Sequence, residues 1–225
     1  MSPLPARTPP PKPGPRAAVL VVATLLVLGG GLLFSFRPVL PSKETGEELH
    51  SFKPGTVWIY ETYAPAGTKT RSVVTVTAFE NGRTTFEEKR RKDGQEEYSE
   101  VLKYAQFVEG GYLVQAELKN GVPQFGRRLY RLGSKKSQTW RETPQEGKGS
   151  VEMRHLGLVN VEVPAGRYPA AINVRRELED SVVDLCFVPG IGLVREDEQR
   201  RPHPADPSRG GRVYVKELIR FTRAP

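Results

Sequence analysis

The chain reads as an all-β protein, a single antiparallel meander sheet curved into a barrel or half-barrel, preceded by one N-terminal transmembrane helix. Three observations predict this. Beyond residue 51, short runs of β-branched and aromatic residues recur at a spacing of about 8–12 residues, with Asn-Gly, Asp-Gly or Gly-Gly pairs between many of them. No stretch there keeps the i, i+3, i+4, i+7 apolar spacing of an amphipathic helix, and connections this tight leave no room for βαβ crossovers. Ahead of the domain, Ala17–Phe36 reads AAVLVVATLLVLGGGLLFSF between Arg16 and Arg37. A helix of about 20 such residues, rising about 1.5 Å each, spans the ~30 Å hydrocarbon core of a bilayer. A two-sheet sandwich is the alternative for the domain.

Taken in order, residues 1–16 are proline-rich and basic. Pro3, Pro5, Pro9, Pro10, Pro11, Pro13 and Pro15 forbid a helix and predict a disordered tail. Residues 17–36 are longer than the apolar centre of a secretory signal and end without a small-x-small cleavage pair, so a retained signal anchor is expected. Arg7, Lys12 and Arg16 precede it with no acid among them, whereas Arg37, Lys43 and Lys53 follow. Arg16 abutting the span places the N-terminus inside and the domain outside. Residues 37–51 are polar and read as a stalk, and residues 52–222 as the β domain.

Within the domain, Pro54-Gly55 turns the chain into Val57–Tyr60. Ser72–Phe79 and Thr84–Arg90 are joined by Asn81-Gly82, the strongest short hairpin signal, because both central residues of a type I′ turn need φ > 0. Asp93-Gly94 predicts the same device before Glu97–Tyr104. Gly110-Gly111 and Asn120-Gly121 bracket Tyr112–Leu118, and Gln124–Leu132, Ser150–Leu156 and Leu158–Val163 follow. Ala165-Gly166 predicts a tight turn before Ala170–Leu178. Pro189-Gly190 suits positions i+1 and i+2 of a type II turn, and Gly192 suggests a bulge. Glu196–Gly211, rich in charge, proline and glycine, reads as a long loop before the last strand, Tyr214–Phe221.

Three of these segments carry the most distinctive spelling. They are Pro54-Gly55 with Trp58 and Tyr60, Val163–Gly166 with Tyr168, and Phe187 with Pro189–Val194, closed by Glu217-Leu218. With that spelling, residues 52–221 resemble a group of bacterial periplasmic proteins and envelope lipoproteins patterned PGxxWxY, VPAGx[FY] and [YF]xPG[VI]G[LM]V. The resemblance implies a curved antiparallel sheet in the cell envelope and no particular activity. The lipid-accepting cysteine of the lipoprotein members is missing here, which leaves the helix as the anchor and the bacterial inner membrane, with the domain in the periplasm, as the expected location.

Charge excludes little but is informative once divided. Of the +8 net charge, Arg7, Lys12, Arg16 and Arg37 supply half without any acid nearby, and the domain mixes both signs. That is a solvated surface rather than a nucleic-acid stripe. The single cysteine, Cys186, lies in an apolar run and reads as a small buried side chain. His50, His155 and His203 lie in separate segments without metal-ligand spacing, and neither a G-x-S-x-G elbow nor a phosphate loop is present. No catalytic residue, metal or cofactor is therefore expected, and the chain is read as non-enzymatic.

Two readings remain. The first is an interaction or scaffold module, tethered to the membrane and docking to an envelope protein. The second is a binding module whose concave face holds a lipid or other hydrophobic ligand. The second requires Trp58, Trp140, Phe79, Phe86, Phe107 or Phe125 to line a cavity of a few hundred Å³. Lys89, Arg90, Arg91 and Lys92 are the candidate contact for an anionic partner, against the plainer reading of a solvated hairpin tip.

Overall fold

The computed structural model describes residues 52–65, 67–95, 97–133, 136–142, 151–202 and 210–225, with only the backbone for Phe125. The tail, the apolar run and the stalk lie outside them, as do His50 and His203. Among the described residues there is no helix.

Twelve strands form one antiparallel sheet. They are β1 (Val57–Tyr63), β2 (Lys69–Glu80), β3 (Arg83–Lys92), β4 (Glu100–Glu109), β5 (Tyr112–Lys119), β6 (Val122–Arg131), β7 (Thr139–Glu142), β8 (Val151–Val163), β9 (Gly166–Glu177), β10 (Ser181–Val188), β11 (Gly192–Arg200) and β12 (Gly211–Thr222). The order is β6-β5-β4-β3-β2-β1-β12-β11-β10-β9-β8-β7. Every strand pairs with its sequence neighbour except at one place, where β6 and β7 are the two free edges and β1 pairs β12 instead. A single meander of this kind excludes the sandwich. The sheet is barrel-like but not closed. Side chains bridge the seam, where the Arg128 N–H of β6 donates to Glu142 Oε1 of β7 at 2.6 Å. Tyr112 of β5 meets Trp140 of β7 at 6.1 Å between ring centroids.

The turns follow their chemistry in most places. Asn81 (φ 51°) and Gly82 (φ 71°) form the I′ hairpin, and Asn120 with Gly121 repeats it at 54° and 77°. Pro189-Gly190 forms the type II turn, closed by the Ile191 N–H donating to Val188 C=O at 3.0 Å. Three expectations change. Asp93-Gly94 does not make a two-residue hairpin, since β3 runs to Lys92 and β4 begins only at Glu100. The basic run Lys89–Lys92 is therefore strand, not a hairpin tip. The runs read as Ser150–Leu156 and Leu158–Val163 are one strand, β8, which passes through Gly157 (φ 103°) with register shifts on either side of Leu158. Glu196–Arg200 belongs to β11 rather than to the loop, because Leu185 and Ser181 of β10 pair with it across a regular ladder.

Two apolar clusters hold the sheet together. One gathers Leu113, Leu129, Tyr130, Trp140, Met153, Ile172, Val174 and Leu185. The other gathers Phe52, Trp58, Tyr60, Phe86, Val161, Val163, Val194 and Leu218 at one end of the barrel. The β8–β9 hairpin reaches that end, and the Ala165 N–H donates to Leu218 C=O of β12 at 3.0 Å. The three distinctive spellings thus converge. Trp58 Nε1–H donates to Ile191 C=O at 2.6 Å, and the Tyr60 hydroxyl donates to Leu193 C=O at 2.8 Å. Cys186 is buried as expected, on the face away from the cavity, and burial pushes its thiol up to about 11.

Candidate functional site

Because strand side chains alternate between faces, each strand offers the barrel interior every second residue. Register fixes which residues these are, and they enclose a cavity of about 590 Å³. Its lining changes character along the strands. On β1 the inward sequence is Trp58, Tyr60, Thr62. The paired positions of β2 are Val74, Ser72, Thr70. On β3 the series runs Phe86, Glu88, Arg90, Lys92, and β11 passes from Leu193 to Glu196. These four walls therefore go from apolar to polar in the same direction. The aromatic end is the one sealed by Phe52, Trp58 and Ile191.

The aromatic end is tightly built. Trp58 meets Phe52 edge-on at 4.8 Å and lies 5.8 Å from Phe86, which in turn stacks on Tyr104 at 5.0 Å. Buried Tyr60 and partly buried Tyr104 are held as neutral phenols, because desolvation and then nearby charge raise both groups above the ordinary tyrosine range.

At mid-height sits a buried ion cluster. Glu88, 4 % exposed, receives Arg90 Nε at 3.0 Å and Arg90 Nη2 at 3.1 Å, one on each oxygen, and Lys216 Nζ at 3.2 Å. Burial alone would raise this carboxyl, but Lys216 and Arg90 outweigh it and hold it down at about 2. Lys216 also lies 4.7 Å over the Tyr60 ring, and Arg90 extends to Glu100 at 3.3 Å. Across the cavity, the Tyr214 hydroxyl donates to Glu196 Oε1 at 2.6 Å, and Gln106 Nε2 donates to Gln115 Oε1 at 3.1 Å. A carboxylate with both oxygens occupied by cations is a fixed wall charge, not a proton-transfer group. Among the described residues no set of three or more His, Cys, Asp or Glu converges as a metal site.

The structure brings two of the six aromatic candidates, Trp58 and Phe86, together at the cavity. Trp140 is buried, but in the packed cluster of the other half. Phe79 is 42 % exposed near the end of β2. Phe107 pairs with Val114 on the face opposite the cavity, since its neighbour Gln106 and the facing Gln115 point inward. The side chain of Phe125 lies outside the described residues. Alternation also splits the basic run: Arg90 and Lys92 line the cavity, while Lys89 and Arg91 stand on the other face. The four do not form one patch.

Sequence reading missed Glu88, Lys216 and Tyr104. A signal was present for the first: Glu88 shares the parity of Phe86, so if the phenylalanine faces inward the acid must as well. Lys216 gave no such signal, because its facing depends on the register with strands distant in sequence. No family model, curated protein or solved structure matches the chain.

Proposed function

We propose that the domain is a non-enzymatic binding module for an amphipathic small molecule, carried on a membrane-tethered chain and facing the periplasm. The observation that supports it is the apolar-to-polar gradient repeated on β1, β2, β3 and β11 around a cavity of about 590 Å³. A scaffold needs only a closed core, and a closed core gains nothing from buried Glu88, Arg90 and Lys216 beside open space. Removing charges from water costs free energy that apolar packing does not. Volumes of a few hundred Å³ with apolar walls and a few placed polar groups are the ordinary form of small-molecule sites. The Ala17–Phe36 run and the resemblance to envelope proteins support the location.

Native mass spectrometry on residues 38–225, purified from a bacterial periplasm, tests the reading. The expected result is a co-purifying mass of a few hundred daltons that organic extraction removes. A clean mass, together with no uptake of added amphiphiles, returns the domain to the scaffold reading.

A further inference from the structure

The ions that line the cavity already answer one another. Glu88 takes Arg90 and Lys216, and Glu100 takes the far side of Arg90. Glu196 accepts the Tyr214 hydroxyl at 2.6 Å. Four cations stand in the lining against three carboxylates, and two of the four, Lys92 and Arg127, are exposed to water. A charged head entering the buried part would lose its hydration and find the ions there already paired, which is costly. The cavity therefore discriminates against charge of either sign.

The hydrogen-bonding capacity left over is neutral. Gln106 of β4 and Gln115 of β5 are register partners, and both line the cavity. They spend one bond on each other, Gln106 Nε2 donating to Gln115 Oε1 at 3.1 Å. Each amide carries two N–H donors and a carbonyl. Among the described residues, the Gln106 carbonyl and both Gln115 N–H groups are left over. Turning both amides over leaves the same mixture. Tyr104, two residues from Gln106 on the same face of β4, stacks on Phe86 at 5.0 Å, and its hydroxyl donates to no described residue. Adjacent groups that donate and accept without charge are satisfied by hydroxyls, each of which does both. The Phe86–Tyr104 stack beside them offers an apolar face to the C–H groups of the same head.

We propose that Gln106, Gln115 and Tyr104 form a subsite for the uncharged, polyhydroxylated head of an amphiphile whose apolar part lies against Trp58 and Leu193. This rests on the binding-module reading and names its ligand class, a single chain carrying a sugar or similar polyol. The amide pair selects the head by its hydroxyls, and the paired ions exclude acidic and basic heads.

The test is calorimetric titration of the full chain, carried in lipid nanodiscs with empty discs as the blank. Hexyl glucoside, hexanol, hexanoate and hexylamine are the four probes, alike in chain and different in head. Hexyl glucoside is expected to bind about tenfold or more tighter than each of the others. In the double variant Gln106→Leu/Gln115→Leu its binding falls about tenfold while that of hexanol changes by about twofold or less, and Tyr104→Phe costs the glucoside about fivefold. An equal loss of both ligands in the double variant overturns the assignment to the amide pair, since a merely structural role moves both. The ranking in the unaltered chain requires no variant to fold. Hexanoate or hexylamine binding as tightly as the glucoside overturns the uncharged head, and hexanol doing so overturns the polyhydroxylated one; each leaves the cavity reading standing. Binding of none overturns both.

Discussion

The two halves of the rolled sheet solve the same packing problem in opposite ways. On the side of β7 to β10, inward positions are Trp140, Val151, Met153, Ile172, Val174, Val183, Leu185 and Phe187, and they close into a continuous core with Leu113, Leu129 and Tyr130. On the side of β1 to β3 and β12, inward positions beyond the aromatic end are Thr62, Thr70, Ser72, Glu88, Arg90, Lys92, Tyr214 and Lys216, and they surround open space. Strands on both sides alternate inward and outward residues. What differs is side-chain volume and charge at inward positions. An interior filled to crystal-like density has no room for a ligand, and one lined by hydroxyls and paired charges cannot collapse without desolvating them. On the proposed reading the packed half is the frame, and the hollow half supplies most of the cavity wall, closed from the other side by Arg127, Leu129, Leu185 and Phe187.

The comparison is most sharply tested where the hollow half depends on its aromatic end. Trp58→Ala removes a buried ring that touches Phe52, Phe86 and Phe221 and loses the bond to Ile191 C=O. A loss of about 4 kcal/mol is expected in urea unfolding, typical of emptying a large buried aromatic site. A loss below about 1 kcal/mol is incompatible with this end acting as a structural clasp.

Next in size is the contrast between halves. Met153→Ala, at a fully buried position of the packed core, is expected to cost about 3 kcal/mol, and Thr62→Ala on the cavity wall within about 0.5 kcal/mol. Equal costs in the two variants mean that the halves are not distinct.

The ion cluster predicts a pH dependence with a definite sign. Glu88 is held at about 2 in the fold against 4.5 ordinarily, so its contribution is complete above pH 4.5 and is lost as pH falls towards 2. The contribution is on the order of 3 kcal/mol. The difference in unfolding free energy between the native chain and Glu88→Gln should therefore shrink steadily across that window. A difference that stays constant from pH 5 to pH 2.5 contradicts the assigned pairing.

The smallest effect on stability belongs to the most informative variant for binding. Thr62→Leu places an apolar side chain in the open space, and its unfolding free energy should stay within about 1 kcal/mol of the native value. Binding of the tightest amphiphile should nevertheless fall at least about tenfold, as one blocked contact suffices for such a factor. Unchanged binding places the ligand elsewhere.

Much of the fold was legible because it is local. Asn81-Gly82, Asn120-Gly121 and Pro189-Gly190 each specify a turn through the φ values that their own residues tolerate. The absence of helical periodicity among the described residues needed no partner to be read. Errors arose where local signals compete with the ladder. Gly157 separates two runs in the sequence, but pairing with β9 on both sides carries the strand through it. Asp93-Gly94 looked like a hairpin until a seven-residue connection, Asp93–Ser99, replaced it. Of the candidate site, Trp58 and Phe86 were legible as aromatic residues in strands, while Phe79 and Phe107 looked equivalent to them.

The sequence by itself determined the strand count approximately, the antiparallel sense and the turn types, because these depend on residues within a few positions of one another. It also determined that Trp58, Tyr60 and the Pro189–Leu193 turn stand out as distinctive. Only the tertiary structure decided that these meet, across 133 positions of the chain, in two hydrogen bonds. It alone decided the pairing of β1 with β12, and with it which charges face inward. Glu88 finds Lys216 across 128 positions, and no local rule carries that far. A strand has two equivalent faces until a neighbour fixes its register, so the identity of the cavity wall is a property of the sheet and not of any strand within it.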